Sequence, residues 1–241
     1  APVYILKADG GTLPMDRSEA APVETIFSGP AASIMGVMAL MPTSQTSVVV
    51  DIGGTTTDLA LILSGLPLLS SKGARVNGQL THIRAFAVKS VPIGGDSAID
   101  VCDASLTLGP HRNGPALCMG GPGPTPTDAL RVLGLSDIGN AAAALKAMTD
   151  VAERLGCKPE EAAQKVVDGV VDKIISEIDE MFRDWEQEPA YRVWEIMKKE
   201  RLQAQNVAGV GGAAPSLVPL VAERLGAKAV IPEYAPVANA I

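Results

Sequence analysis

Aromatic side chains are what this chain of 241 residues has least of: three Phe, three Tyr and two Trp, 3% of the whole. So few argue against a base-stacking surface for single-stranded nucleic acid and against an aromatic sugar-binding groove. Positive charge is also short. Lys and Arg number 20 against 27 Asp and Glu, a net charge of −7, whereas a nucleic-acid footprint is basic; no nucleic-acid partner is expected. The three cysteines, Cys102, Cys118 and Cys157, are an odd number with no C-x-x-C spacing. That pattern disfavours a disulfide framework and leads to the expectation of a reducing, cytoplasmic setting. Long apolar runs are missing as well. The longest, Ile26 to Met41, is broken by Ser28-Gly29-Pro30 and falls short of the roughly 20 residues of a membrane span. No secretory leader pattern is visible at the start, and no membrane partner is expected.

What is present is 47% hydrophobic residues, so the core must be built from Ala, Val, Ile, Leu and Met. The 24 Gly and 18 Pro show no collagen period. At roughly 150 residues per domain the length suggests one to two domains. The chain begins at Ala1-Pro2, without an initiating Met, and stops at Asn239-Ala240-Ile241. These ends are read as those of a segment cut from a longer polypeptide.

The first half reads as strand and turn. Val3 to Leu6 is strand-like, and Gly29-Pro30 precedes a helix over Ala31 to Leu40. The β-branched run Val48-Val49-Val50 suits a buried strand, and Leu59 to Leu63 suits its partner across a Gly/Thr turn. Ser64-Gly65 and Pro67 mark the next turn; Leu68-Leu69 and Ile83 to Val91 are further strand candidates in a β-meander. Gly109 to Thr127 is a long Pro/Gly loop, a length often associated with function. The second half turns helical. Ala141 to Leu155 ends at Gly156, and Lys158-Pro159-Glu160-Glu161 opens a helix whose Val166, Val170, Ile174, Ile178 and Met181 share a face. A break is expected at Glu188-Pro189, then a helix over Tyr191 to Leu202. Strand Asn206 to Val210, helix Ser216 to Leu225 and strand Lys228 to Ile231 close the chain.

Two glycine clusters carry the chemistry. In Val48-Val49-Val50-Asp51-Ile52-Gly53-Gly54-Thr55-Thr56-Thr57-Asp58, a strand delivers an Asp, and two glycines let the backbone turn and approach a ligand closely. Successive N–H groups in such a turn form an anion nest, to which Thr55, Thr56 and Thr57 can add hydroxyl donors. Asp51 and Asp58 could hold Mg2+, usually through water. The second cluster, Gly209-Val210-Gly211-Gly212-Ala213-Ala214-Pro215, follows a strand and opens a helix, where small residues admit a flat ligand and the helix end favours anions. It lacks the G-x-G-x-x-G spacing of dinucleotide sites, and close helix–strand packing would also select small residues there.

The pairing of these clusters resembles the actin-like ATPase superfamily, in which two ribonuclease-H-like domains clamp ATP. The likeness is closer still to the hydantoinase A/oxoprolinase family. Lys7-Ala8-Asp9-Gly10-Gly11, Pro22-Val23-Glu24-Thr25, Ser28-Gly29-Pro30-Ala31-Ala32, Asp51 to Asp58, Pro124-Thr125-Pro126-Thr127-Asp128-Ala129 and Gly211-Gly212-Ala213-Ala214-Pro215 fall in that family's order over nearly the whole chain. The resemblance implies an α/β, ribonuclease-H-like fold with a helical elaboration at 141–202, within one ATPase domain over 1–241. It implies ATP and Mg2+ as cofactors. Asp51 and Asp58 would be catalytic and metal-organising, Gly53, Gly54, Thr55, Thr56 and Thr57 phosphate-binding, and Gly211, Gly212 and Ala213 adenosine-facing. The activity implied is ATP-dependent opening of five-membered cyclic amides of the hydantoin or 5-oxoproline type, by phosphoryl activation of the amide oxygen. The alternatives are a subunit of an ATP-dependent ketone carboxylase and a non-catalytic nucleotide-binding or sensing relative. Implied partners are the small-molecule substrate, a hydantoinase B-type subunit or fused domain, and the N-terminal half of the same protein. The family's first phosphate loop is absent from this chain, so the isolated segment is expected to bind ATP weakly and not to turn over.

Two stretches depart from the family. Its Asp-x-His-Thr run is Ala87-Val88-Lys89-Ser90 here, and the following Gly-Gly-Gly-Ser turn is Gly94-Gly95-Asp96-Ser97. Its Ala-Asp-Pro-Gly-Pro-Ala-Cys-Tyr-Gly run is reduced to Asn113-Gly114-Pro115-Ala116-Leu117-Cys118-Met119-Gly120. These put the usual substrate and metal site in doubt and leave the glycine loops intact. His111 and Cys118 share a loop but are only two ligands for a metal. Cys118 would need a base to act as a nucleophile. Lys89 reads as a solvated strand lysine, with anion binding as the alternative.

Overall fold

The computed structural model describes residues 2–41, 44–76, 79–187 and 203–240. Its centre is one mixed sheet. Strand β3 (Ser47–Ile52) turns back into β4 (Thr57–Leu63), in register from Ser47 opposite Ile62 to Ile52 opposite Thr57. The far side of β4 is paired twice, by the short β5 (Leu66–Pro67) and by β8 (Val88–Val91). On the other side of β3 lies β11 (Asn206–Val210), parallel to it, and β12 (Lys228–Val230) lies parallel beyond. The order β12-β11-β3-β4-β5, with three antiparallel members followed by two that return parallel to the first, is the ribonuclease-H-like arrangement.

Both faces of this sheet are covered, which is why β3 is a continuous β-branched run rather than an alternation of apolar and polar residues. Val48, Val50 and Ile52 face a large core formed with helices α3 (Pro126–Val132), α4 (Ala141–Leu155), α5 (Pro159–Gln187) and α6 (Ala214–Leu225). Val49 faces the opposite core, formed with Ile34 and Val37 of helix α2 (Ser28–Leu40) and with Ala235 and Ala238 of the C-terminal turn. In α5 the expected face is the observed one, since Val166, Val170, Ile174 and Ile178 are all fully buried. Asn140 caps α4 by accepting from the Ala143 N–H, and Gly156 ends it in the left-handed conformation. The remaining elements are peripheral: a hairpin β1 (Tyr4–Leu6) and β2 (Thr12–Pro14), a turn of helix α1 (Met15–Ser18), and the small pair β6 (Arg75–Val76) and β7 (Gln79–Leu80). Among the described residues no helix is long and apolar enough to cross a membrane.

Several boundaries differ from expectation. The third strand of the meander lies at Leu66–Pro67, with Leu69 only bridging Phe86. The strand expected over Ile83 to Val91 forms only from Val88. The helices open earlier than expected, at Ser28 and Ala214. The unexpected elements include the hairpin β9 (Ile99–Cys102) with β10 (Ser105–Leu108) and helix α3, besides the short β2, α1, β6 and β7. The helix expected over Tyr191 to Leu202 lies outside the described residues.

Candidate functional site

Because β3 and β11 run parallel side by side, with Val210 opposite Asp51, the loops that follow them leave the sheet at the same edge. The carboxyl ends of neighbouring strands are where open α/β sheets place ligands. The four-residue turn between β3 and β4 is closed by the Gly53 N–H donating to the Thr56 carbonyl at 3.0 Å. The N–H groups of Gly54, Thr55 and Thr56 make no hydrogen bond to any described residue. Thr55 and Thr56 are exposed. Thr57 sits apart from them: it is fully buried and its hydroxyl donates to the Ile93 carbonyl at 2.7 Å.

Asp51 and Asp58 are directly opposed across the hairpin, so both carboxylates project to the same face of the sheet, the α2 side. Asp51 Oδ2 accepts from the hydroxyl of Ser33 on α2 at 2.5 Å. Asp58 lies next to Ser90 of β8 in the register. Burial pushes the Asp58 carboxyl above its ordinary value, the Asp51 charge adds to the rise, and the Ser90 hydrogen bond opposes it. Two carboxylates that repel each other at a strand end, beside unpaired amides, are a donor set that suits a hydrated Mg2+. Among the described residues no group of three or more His, Cys, Asp or Glu is gathered, so a cation here would draw its other ligands from water or a bound molecule.

The three glycines of the second cluster are small for three different reasons. At Gly209 a methyl would meet the Val218 and Ile231 side chains, so this glycine serves helix–strand packing. At Gly211 φ is +89°, and a methyl would lie 2.4 Å from the Ile52 carbonyl oxygen and 2.9 Å from Asp51 Oδ1. Its backbone is thus pressed against the end of β3. Gly212 has open space where a side chain would be, and it is exposed.

A third loop, which sequence reasoning treated only as a departure, completes the edge. The N–H groups of Gly95 and Asp96 donate to the carbonyls of Gly53 and Gly54 at 3.0 and 2.7 Å. A methyl on Gly94 would lie 2.5 Å from the Gly53 carbonyl oxygen, so that glycine is needed for the close approach. The Thr127 hydroxyl donates to the Gly95 carbonyl at 2.7 Å, which ties in the start of α3. The signal in the sequence was the Gly94-Gly95 pair itself. Asp128, fully buried, accepts from the N–H groups of Leu117, Cys118 and Thr125 and from the Thr125 hydroxyl. It pins the Pro/Gly loop to the helix start and is structural.

Cys118 is buried, and burial followed by Asp128 pushes its thiol up to about 12, the opposite of an activated nucleophile. Lys89 points to the α5 face, where it pairs with Glu177 at 2.7 Å and Glu180 at 2.5 Å. It is an inter-element tie rather than a solvated lysine. A cavity of about 690 Å3 lies beside it at the sheet edge, lined by Phe86, Lys89, Met181 and Trp185 among others.

Sheet order and converging strand-end loops define a ribonuclease-H-like domain, the fold that actin-like proteins share. The chain belongs to the Hydantoinase/oxoprolinase family, whose model matches residues 1–241. Among solved structures it is similar to the nucleotide-free acetone carboxylase from work on the mechanism of ATP-dependent acetone carboxylation. That match has a TM-score of 0.79 and 23% identity, and covers 99% of this chain and 34% of that one. It is also similar to the ATP-dependent caprolactamase from Pseudomonas jessenii, with a TM-score of 0.68 and 26% identity over 90% of this chain and 32% of that one. The chain therefore spans about a third of the length of each. No curated protein matches the sequence.

Proposed function

We propose that this chain is the nucleotide-gripping second half of an ATP-dependent enzyme that opens five-membered cyclic amides. The observation that carries the reading is the meeting of three glycine loops at one sheet edge. It leaves the Gly54, Thr55 and Thr56 N–H groups without a hydrogen bond to any described residue, beside an exposed Gly212. The Gly53 to Thr56 turn receives the phosphates, its amides and the Thr55 and Thr56 hydroxyls donating to phosphate oxygens. Gly211, Gly212 and Ala213 offer a flat backbone surface to the adenosine. Mg2+ would be held by Asp51 and Asp58 through water and would neutralise phosphate charge. Ser33 keeps one oxygen of Asp51 occupied, so the carboxylate is oriented before any ligand arrives. Transfer of the terminal phosphoryl group from ATP to the amide oxygen releases ADP and makes the ring carbon a target for water; the ring C–N bond then breaks with the proton going to nitrogen, and a second water releases phosphate from the acyl phosphate, while positioning and electrostatics are what a protein contributes to such steps. The substrate, a hydantoinase B-type partner and the N-terminal half with its own phosphate loop complete the enzyme.

A second reading is favoured by Lys89. It stands where the family resemblance places a His, and it is committed to Glu177 and Glu180. A member without that imidazole suits a ketone carboxylase subunit, or a relative that binds nucleotide without turnover. The test is ADP release by the full-length protein, alone and with its partner subunit, in the presence of 5-oxoproline, hydantoins, or acetone with bicarbonate. Stimulation by a cyclic amide supports the first reading. Stimulation by ketone with bicarbonate alone supports the carboxylase. Tight nucleotide binding with no stimulated turnover supports the sensor.

A further inference from the structure

The edge that would receive phosphates carries an unexpected charge. Asp96, where the resemblance places a glycine, has its backbone N–H on the Gly54 carbonyl, and its Oδ2 lies 2.7 Å from the point where a Gly54 side chain would begin. Its carboxylate therefore stands against the turn whose Gly54, Thr55 and Thr56 N–H groups find no partner among the described residues. Its side chain is only 15% exposed, so solvent screens it poorly and it would repel a polyphosphate. The same Oδ2 accepts from Arg112 Nη2 at 2.7 Å. Arg112 is not there by accident of a mobile loop: the carbonyl of His111 accepts from the Ala98 N–H at 2.8 Å, which fixes the chain one residue away. The Arg112 side chain is 44% exposed. It carries five N–H donors in a planar fork, and its hydrogen bond to Asp96 is made through Nη2.

We propose that Arg112 is a phosphate-binding residue of the β3–β4 turn, with Asp96 as the positioning residue that holds its guanidinium beside Gly54. This deepens the nucleotide reading above and rests on it. Arg112 cancels the Asp96 charge and turns its free edge toward the anion, as planar guanidinium groups do with phosphate. The turn then has a cation of its own, supplied by the long loop after β10, besides whatever metal accompanies the nucleotide.

The experiment measures affinity of the full-length protein for MgATP, MgADP and adenosine, in wild type, Arg112→Ala, Arg112→Lys, Asp96→Asn and the double variant Arg112→Ala/Asp96→Asn. For Arg112→Ala, MgATP and MgADP affinity is expected to fall about 10-fold or more, the range of a charged hydrogen bond, with adenosine unchanged and Arg112→Lys intermediate. The double variant separates a ligand from a mere neutraliser. If Arg112 only cancels Asp96, removing both charges restores wild-type affinity; if it binds phosphate, the double variant stays about 5-fold or more weaker. Restoration to wild type, no loss in Arg112→Ala, or an equal loss for adenosine would each overturn the proposal while leaving the nucleotide reading in place. Absence of MgATP binding by wild type would remove both.

Discussion

Replacing Gly211 by Ala is expected to damage the fold, while the same change at its neighbour Gly212 is expected to damage only binding. Gly211 has a φ of +89°, where a methyl group costs about 1–2 kcal/mol. The methyl would also lie 2.4 Å from the Ile52 carbonyl oxygen, a contact with backbone that cannot swing aside. Forcing such a contact costs about 1–3 kcal/mol. A loss of roughly 3 kcal/mol lowers the melting temperature of a domain this size by about 10 °C. The Gly212 methyl meets nothing within 4 Å and its φ is not left-handed, so stability should stay within about 0.5 kcal/mol. Its methyl projects into the space assigned to adenosine, so ATP affinity should fall instead. The assay is thermal unfolding followed by circular dichroism, paired with ATP titration of each variant. A Gly211→Ala protein as stable as wild type would refute the close approach of the two strand ends. A Gly212→Ala protein with unchanged ATP affinity would refute the assigned ligand side.

Three further outcomes follow from single residues. The β9–β10 turn places Asp103 and Ala104 at φ of 49° and 57°, a mirror-image turn that glycine occupies without strain; Ala104→Gly should raise stability by up to about 1 kcal/mol in urea unfolding, and a decrease would contradict the turn type. Native protein treated with iodoacetamide at pH 8 should be labelled at exposed Cys102 and not at Cys118, whose thiol is buried and pushed up to about 12; peptide mass spectrometry finding native Cys118 labelled would count against its inertness. The folded state holds the Asp58 proton more tightly than the ordinary value of 3.8. Stability therefore falls as pH rises from that value through the raised one, because the folded form binds more protons over that window. Without Mg2+, Asp58→Asn should gain on wild type across the same window, and parallel pH profiles would show that the carboxyl is not perturbed.

What the sequence made legible, and what it hid, divides along physical lines. The β3–β4 hairpin could be read because Val48-Val49-Val50 is a central-strand run and Gly53-Gly54 a turn with no competing local structure. The α5 face could be read because its apolar period is unbroken. The β9–β10 hairpin was hidden because its turn is Asp103-Ala104, without the glycine that marks such turns. Helix α3 was hidden inside Pro/Gly-rich sequence, although its capping box, Thr125 with Asp128, is a local signal. In the site, the reasons for the glycines were not legible. Gly209, Gly211 and Gly212 look alike in sequence, and only tertiary contacts separate packing, backbone approach and open surface. The role of Lys89 was equally out of reach, because strand polarity alone does not say which helix supplies its partners, and Asp96 meets an Arg112 that lies 16 positions further along the chain.

The turn after β3 and the turn after β11 are proposed to hold ATP together. Amide hydrogen exchange of the full-length protein, with and without MgATP, tests it most directly. Protection is expected in two separate segments, Gly53 to Thr56 and Gly211 to Ala213, with little change around Lys89 and Trp185. Protection confined to the cavity between β8 and the end of α5, with neither glycine turn affected, would contradict it.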